Sequence, residues 1–474
     1  MFKDFDETKR YIEKHQINFI DLKYIDVPGR LHHVTLPTDY FSEDTLKNGV
    51  GFDGSSASFF KTVECGDMCL IPDLSTGFRD PFQSDPEEGI QVLSFICGVC
   101  EADTKKPYPL DPRSMTKKAA DYLEKTLKAE SFWLPELEFY LFSEVQSIDP
   151  TTEGDEPFRF KTIEKYLLKQ KAYEAAPPED RATMVRNLAC KYMKEYASIP
   201  IKYHHHEVGS RGQCEIELNY APLLKTADNI ILGKYFVRNL ADQCNLLASF
   251  IPKPIYKEAG SGLHFHQYLK SGGKNIFNKP SGKAAHDTGY GTLTKDALSY
   301  ISGLLFHADS MLAFTNPSTN SYKRLVPGFE APVKKFFSSG NRSAIIRLPK
   351  YGLGTEKLSV EFRASDATSN PYLAIPAMLL SGIDGIKQKL VPADYNYGPI
   401  DKNVFELPEE ETNLIGSLPT TMLQSLEALK NDHEYLLPVF TEDFLKLWID
   451  MKLREYQDVM ERIHPYEIYL YHNF

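Results

Sequence analysis

The chain opens on an amphipathic stretch, MFKDFDETKRYIEK, whose apolar residues recur at helical spacing and predict a first helix. The pattern then changes. INFIDLKYIDVPGRLHHVTLP reads as two strands joined by a Pro28-Gly29 turn, and IQVLSFICGVC supplies another strand, so residues 1–103 are expected to form a small sheet domain. The turn-rich PYPLDPR at 107–113 leads into a larger domain, 104–474, which begins with the helical SMTKKAADYLEKTLKAE. In that domain WLPELEFYLF, IKYHHHEV, QCEIELNY, GLHFHQYL, AIIRLP and LSVEFRA combine β-favouring residues with polar positions at period two and predict strands. Residues 145–200 read as helical and charged, interrupted at Pro177-Pro178. TEDFLKLWIDMKLREYQDVMERIH predicts a long late helix begun by Thr441, with acids in its first turn. Strands and helices thus alternate through the larger part, and no internal repeat is visible.

Composition narrows the class. With 474 residues, 42% of them hydrophobic and 25% charged, the chain can bury a large core, and no apolar run is long enough to span a bilayer. Its start lacks the continuous apolar stretch of a secretory signal, and its seven cysteines are scattered, so a cytoplasmic protein with reduced thiols is expected. Cys97 and Cys100 have redox or zinc spacing but no second pair, and a structural role is expected of them. A net charge of -11 argues against nucleic acid as a principal ligand.

Alternation selects candidate chemistry, because residues two apart in a strand face the same way, roughly 7 Å apart at Cα. Glu136 pairs with Glu138 on this rule, Glu215 with Glu217, His264 with His266, and Glu361 with Arg363. Each pair alone also fits a solvated strand face. In the conspicuous His204-His205-His206, only His205 points with Glu207. His204 and His206 turn to the other side, where packing or support by hydrogen bonds is expected, so the triple is not one metal site. Many carboxylates with one or two histidines suit Mg²⁺ or Mn²⁺ better than zinc. Arg324, Arg342 and Arg347 fit carboxylate or phosphoryl groups, although a surface salt bridge is the commoner fate of any one arginine. No Walker-type loop is present, so a nucleotide would need another scaffold.

Taken together, FDGSS at 52–56, DMCLIPDLST at 67–76, PELEFYLF at 135–142 and HHHEVGSRGQCE at 204–215 resemble type I glutamine synthetases in order and spacing. KPIYKEAGSGLHFH at 253–266, NPSTNSYKRLVPGFEAPV at 316–333, NRSAIIR at 341–347 and VEFR at 360–363 continue the resemblance over nearly the whole chain. It implies an α+β fold: a small N-terminal β-grasp domain, then a large catalytic domain whose curved antiparallel sheet, of the glutamine synthetase/guanido kinase-like kind, is flanked by helices. It also implies ATP-dependent ligation of ammonia to the γ-carboxylate of glutamate through γ-glutamyl phosphate. Two or more Mg²⁺ or Mn²⁺ ions would be held by Glu138, Glu207 and Glu215 and by Glu136, His264 and Glu361. Gly260, Arg324, Arg363, Glu330 and Arg342 would bind glutamate, and His205, Tyr220, His266, Arg342 and Arg347 the nucleotide.

Asp53 would bind and deprotonate ammonium, and Glu330 would lie on a closing flap. Tyr173 is a looser candidate for the ammonium site. The family's assembly, two stacked hexameric rings, implies a dodecamer in which Asp53 serves the neighbouring subunit. Ala259, Tyr268, Ser359 and Lys202 depart from the common pattern around the nucleotide and glutamate contacts, with Lys357 expected to replace part of the missing positive charge. Phe405 stands where some relatives carry an adenylylated tyrosine, and a phenyl ring has no hydroxyl to modify. A γ-glutamyl ligase for larger amines and a non-catalytic assembly protein are the competing readings.

Overall fold

The fold comes from a computed structural model, which describes residues 1–57, 60–146, 159–164, 171–279, 290–328, 331–404 and 406–471. The first helix, Phe5–Lys14, starts where Asp4 accepts the Glu7 amide at 2.8 Å. Phe19–Ile25 and Leu31–Pro37 form the expected hairpin. Its turn depends on Gly29, whose φ of +101° suits no side chain, and on Asp26, which accepts the Gly29 and Arg30 amides at 3.0 and 2.7 Å.

Phe19–Ile25 also runs parallel to Val92–Glu101, and Asp67–Pro72 and Val50–Asp53 follow outward to complete a mixed sheet. Cys97 and Cys100 are buried free thiols in Val92–Glu101, and all seven cysteines are free. Burial pushes the Cys97 thiol well up and that of Cys100 to about 11, which keeps both unreactive.

The larger part is built on a sheet that has 11 strands among the described residues. Its axis is Glu130–Gln146, flanked by Leu263–Ser271 on one side and Gln213–Leu218 on the other. Beyond these lie Val360–Phe362, Ala344–Arg347 and Lys334–Ser338 at one end and Ile201–His206 at the other. All six predicted strands are present. Within 145–200 the helix Thr183–Ala197 forms, but Arg159–Thr162 is a strand paired with the end of Glu130–Gln146. There, RFKT alternates basic residues with the β-favouring Phe160 and Thr162, and pairing the edge of a long strand outweighs the surrounding helical composition. Residues 147–158 and 165–170 of that stretch lie outside the described residues.

Helices cover the back of the sheet. Pro112–Leu127, Leu223–Gln243 and Pro371–Gln388 pack together, and Glu442–Met460 starts where Thr441 accepts the Phe444 amide, as its sequence predicts. The apolar core runs without interruption from Phe2 to Met451 through both parts. A buried Arg113 locks them: it bonds Asp228 of Leu223–Gln243 at 2.9 and 3.0 Å and Asp73 of the N-terminal part at 2.8 Å. Among the described residues no single helix is long and apolar enough to cross a membrane.

Candidate active site

Strand register assembles the site. Residues directly opposite one another across a sheet share a face, and three rows of such partners cross the large sheet. One runs His264, Glu136, Glu217, Tyr203; the second runs Glu138, Glu215, His205; the third brings Arg347, Glu361 and His266 side by side. Alternation within each strand places all three rows on one face. Glu207 follows Ile201–His206, where its amide bonds the Gln213 carbonyl at 3.0 Å, so it stays beside Glu215. A pocket among these strands is lined by Glu136, Glu138, Glu207, Glu215 and His264, and by Arg324, Arg342 and Arg363.

Of the groups of donors close enough to share an ion, two hold most of the expected ligands: Glu136 with His264 and Glu361, and His205 with Glu207 and Glu215. The second differs from the sequence expectation in including His205, whose Nε2 is 3.4 Å from Glu215. Glu138 borders both groups, 3.5 Å from His264 Nε2. Its Oε2 accepts the Gly262 amide at 2.9 Å and the Gln213 amide nitrogen at 3.1 Å. A third group, Glu136 with Glu217 and His266, adjoins the first, but Lys202 neutralises Glu217 at 2.6 Å.

Charge in this pocket is unevenly balanced. Burial favours neutral Glu361, yet Arg363 and His266 hold it below the ordinary carboxylate range, with Arg363 and Arg347 each 2.5 Å away. Against the same burial, His266 and His264 hold Glu136 well down. On the other side burial and the Glu207 charge push Glu138 up to about 8, and burial with Glu136, Glu207 and Glu138 raises Glu215 well above normal. Among the described residues these two buried carboxylates are thus only partly balanced, Glu138 by Arg324, and a divalent cation with hard oxygen ligands supplies the missing charge. His264 is the uncharged donor of the set. Burial and then Arg363 push it down to about 4, and Arg324 donates to its Nε2 at 3.1 Å while its Nδ1 donates to Glu136 at 2.9 Å. The ring is therefore neutral, with its lone pair on Nε2. The donor set fits divalent metal ions.

Arg324 braces the backbone: its Nη1 donates to the Ala364 and Ser365 carbonyls at 2.7 and 3.2 Å, and its Nη2 to that of Arg363 at 3.1 Å. Arg363 in turn bonds the Arg342 carbonyl at 3.2 Å. Gly260 and Gly262 are required here, because a Cβ on Gly260 would lie 2.7 Å from Arg324 Cγ and one on Gly262 2.5 Å from His264 Nε2. Tyr220 meets Tyr268 edge to face at 5.2 Å, and Tyr268 stacks on Phe132 at 5.3 Å, so one departure from the common pattern forms part of an aromatic wall. Tyr173 sets its ring edge against His205 at 5.2 Å and faces Arg342 at 6.0 Å.

His204 and His206 point away from the pocket. His206 is fully buried and bonds Glu164 at 2.7 Å and the Glu207 carbonyl at 2.6 Å, and His204 bonds Asn187 at 2.9 Å. Asp53 is not among the residues lining the pocket; it is exposed at the end of Val50–Asp53 and accepts Ser55 and Ser56 donors at 2.7 to 3.0 Å. Those bonds, Ser55's hydroxyl first, keep it below the usual carboxylate range. Glu330 and Phe405 lie outside the described residues. Gln213 was missed as a site residue, although it stands two positions before Glu215 in the same alternating strand. It ties Glu138 to the Gly260 carbonyl at 3.0 Å.

Comparison with known proteins gives a consistent result. The family model described as "Glutamine synthetase, catalytic domain" matches residues 109–471, and "Glutamine synthetase, beta-Grasp domain" matches residues 16–102. A glutamine synthetase of Frankia alni is 39% identical over 490 aligned positions, covering 100% of both chains. One from Nostoc is 40% identical, covering 98% of this chain and 99% of its own. A solved Plasmodium falciparum glutamine synthetase is 26% identical and superposes with a TM-score of 0.86 over 99% of each chain.

Proposed function

Because this chain belongs to the glutamine synthetase family, we propose that the three rows of buried carboxylates, histidines and arginines are the seat of its reaction. The chain is an ATP-dependent ligase that makes glutamine from glutamate and ammonia. The observation that supports this placement is the surplus of buried negative charge at Glu138 and Glu215, beside the well-balanced Glu136 and Glu361.

We assign one Mg²⁺ or Mn²⁺ ion to Glu138, Glu207 and Glu215, with His205 within reach, and the other to Glu136, His264 and Glu361. When bound, such ions screen the phosphate charges and polarise the transferring phosphoryl group. Arg342 and Arg347 face the nucleotide phosphates, and Tyr220, against Tyr268, receives the adenine ring. Arg363 and Gly260 hold the glutamate backbone groups, and Arg324 keeps that segment in place. Attack of the glutamate γ-carboxylate on the γ-phosphate of ATP gives an acyl phosphate and releases ADP, and ammonia then displaces phosphate from the acyl carbon to give glutamine.

Ammonium has no lone pair until it loses a proton, so a carboxylate must bind it and take that proton. Asp53 fits this role, its serine bonds keeping it ionised; since it lies outside its own chain's pocket, it serves a neighbouring subunit in a ring assembly. Glu330 would close the other side and exclude water from the acyl phosphate. The deciding experiment is a phosphate-release assay with ATP, glutamate and either Mg²⁺ or Mn²⁺, comparing ammonium with ethanolamine and polyamines. Turnover with ammonium is expected. Turnover with the larger amines alone would replace this reading with a γ-glutamyl ligase of different specificity.

A further inference from the structure

A second cavity, of about 1090 Å³, lies between the N-terminal sheet and the helix Leu223–Gln243 and shares no lining residue with the active site. Its walls are basic, with Glu455 the one acidic side chain among the described residues lining it. Several of its cations are already neutralised. Lys23 bonds Asp21 and Asp80 at 2.8 and 3.1 Å, His32 and His33 face Asp26 and Asp21, and Lys452 meets Glu455 at 2.7 Å.

Lys234 and Arg238 are different. They stand four residues apart on one helix, where like charges repel, and no carboxylate pairs with either among the described residues. Both cations lie over the ring of Phe250, at 5.9 and 5.2 Å. Lys234 is 9% exposed and its ammonium, with three donors, finds only the Ala367 carbonyl as a hydrogen-bond acceptor among the described residues. Burial, with Arg238 next, pushes it down to about 7. Arg30, also without a carboxylate partner among the described residues, lies on the opposite wall. A site with two adjacent basic groups, neither in contact with a carboxylate among the described residues, and with room for a small organic molecule is suited to negative charge.

We propose that this cavity binds a small organic anion carrying a phosphate or two carboxylates, with Lys234 and Arg238 as its charged ligands. The test is thermal melting of the full chain in EDTA at constant ionic strength, titrated separately with inorganic phosphate, pyrophosphate and succinate against a chloride control. At least one probe is expected to raise the wild-type melting temperature. In Arg238→Gln its apparent affinity should fall at least about tenfold, the loss of one charge-assisted contact, while ligase activity stays within about twofold of wild type. Without probe, Arg238→Gln should melt at or above wild type, because it removes an unbalanced charge. Lys234→Met should likewise lose the response. The ratio of phosphate to succinate response identifies the ligand class. Three results would each overturn the proposal: no probe acts beyond chloride, the variants respond as wild type does, or unliganded Arg238→Gln melts clearly lower because another copy of the chain supplies a carboxylate.

Discussion

The raised Glu138 carboxyl makes the ion-free site a measurable liability. Burial and the neighbouring Glu207 move it from 4.5 to about 8, so in the folded, metal-free protein it binds a proton that the unfolded chain has already released. Between those two values the folded state holds more protons than the unfolded state, and stability falls as pH rises. At 1.36 kcal/mol per unit, the penalty is about 1 kcal/mol at pH 5 and about 4 kcal/mol at pH 7.5. Glu138→Gln keeps an oxygen that can accept the Gly262 amide and removes the charge. In EDTA the variant should therefore melt above wild type by a margin that widens from pH 5 to pH 7.5, followed by scanning fluorimetry.

Adding Mn²⁺ should reverse the order, since wild type gains binding energy through an ionised Glu138 and the variant loses a ligand. A margin that stays constant with pH in EDTA, or equal stabilisation of both proteins by Mn²⁺, would refute the reasoning.

Asp53→Ala should raise the KM for ammonium at least about tenfold, as a lost charge-assisted contact would, and leave Mn²⁺ affinity nearly unchanged in a titration; a large loss of metal affinity would contradict the proposed role. Gln213→Leu leaves the Gly260 carbonyl without its side-chain donor and Glu138 with one donor fewer, at about 1–3 kcal/mol for the buried carbonyl. It should lower both the melting temperature and glutamate affinity, measured by KM, and an unchanged KM would confine Gln213 to a structural role.

The strands of the site were legible because each must bury one face and keep donors on the same face for ions and substrates, which prints period two on the sequence. Register was not legible. Nothing in PELEFYLF states that Glu136 lies between His264 and Glu217, because that depends on how strands far apart in the chain align. For the same reason His205 could be turned toward Glu207 by alternation, yet its approach to Glu215 emerged only from the pairing of Ile201–His206 with Gln213–Leu218. The strand Arg159–Thr162 was hidden by charged, helix-compatible surroundings. Lys202, seen in the sequence only as a departure, proves to neutralise buried Glu217, a contact that crosses two neighbouring strands.

The three rows also set an order of events during synthesis. Glu136 leaves the ribosome long before Glu361, and the third row does not exist until Val360–Phe362 docks beside Leu263–Ser271. Until then the earlier carboxylates are open to water and to one another, without Glu361 to tie them to Arg347 and Arg363. Such distant pairing is slow. The group of Glu136, His264 and Glu361 therefore exists as a set only once this late strand is in place.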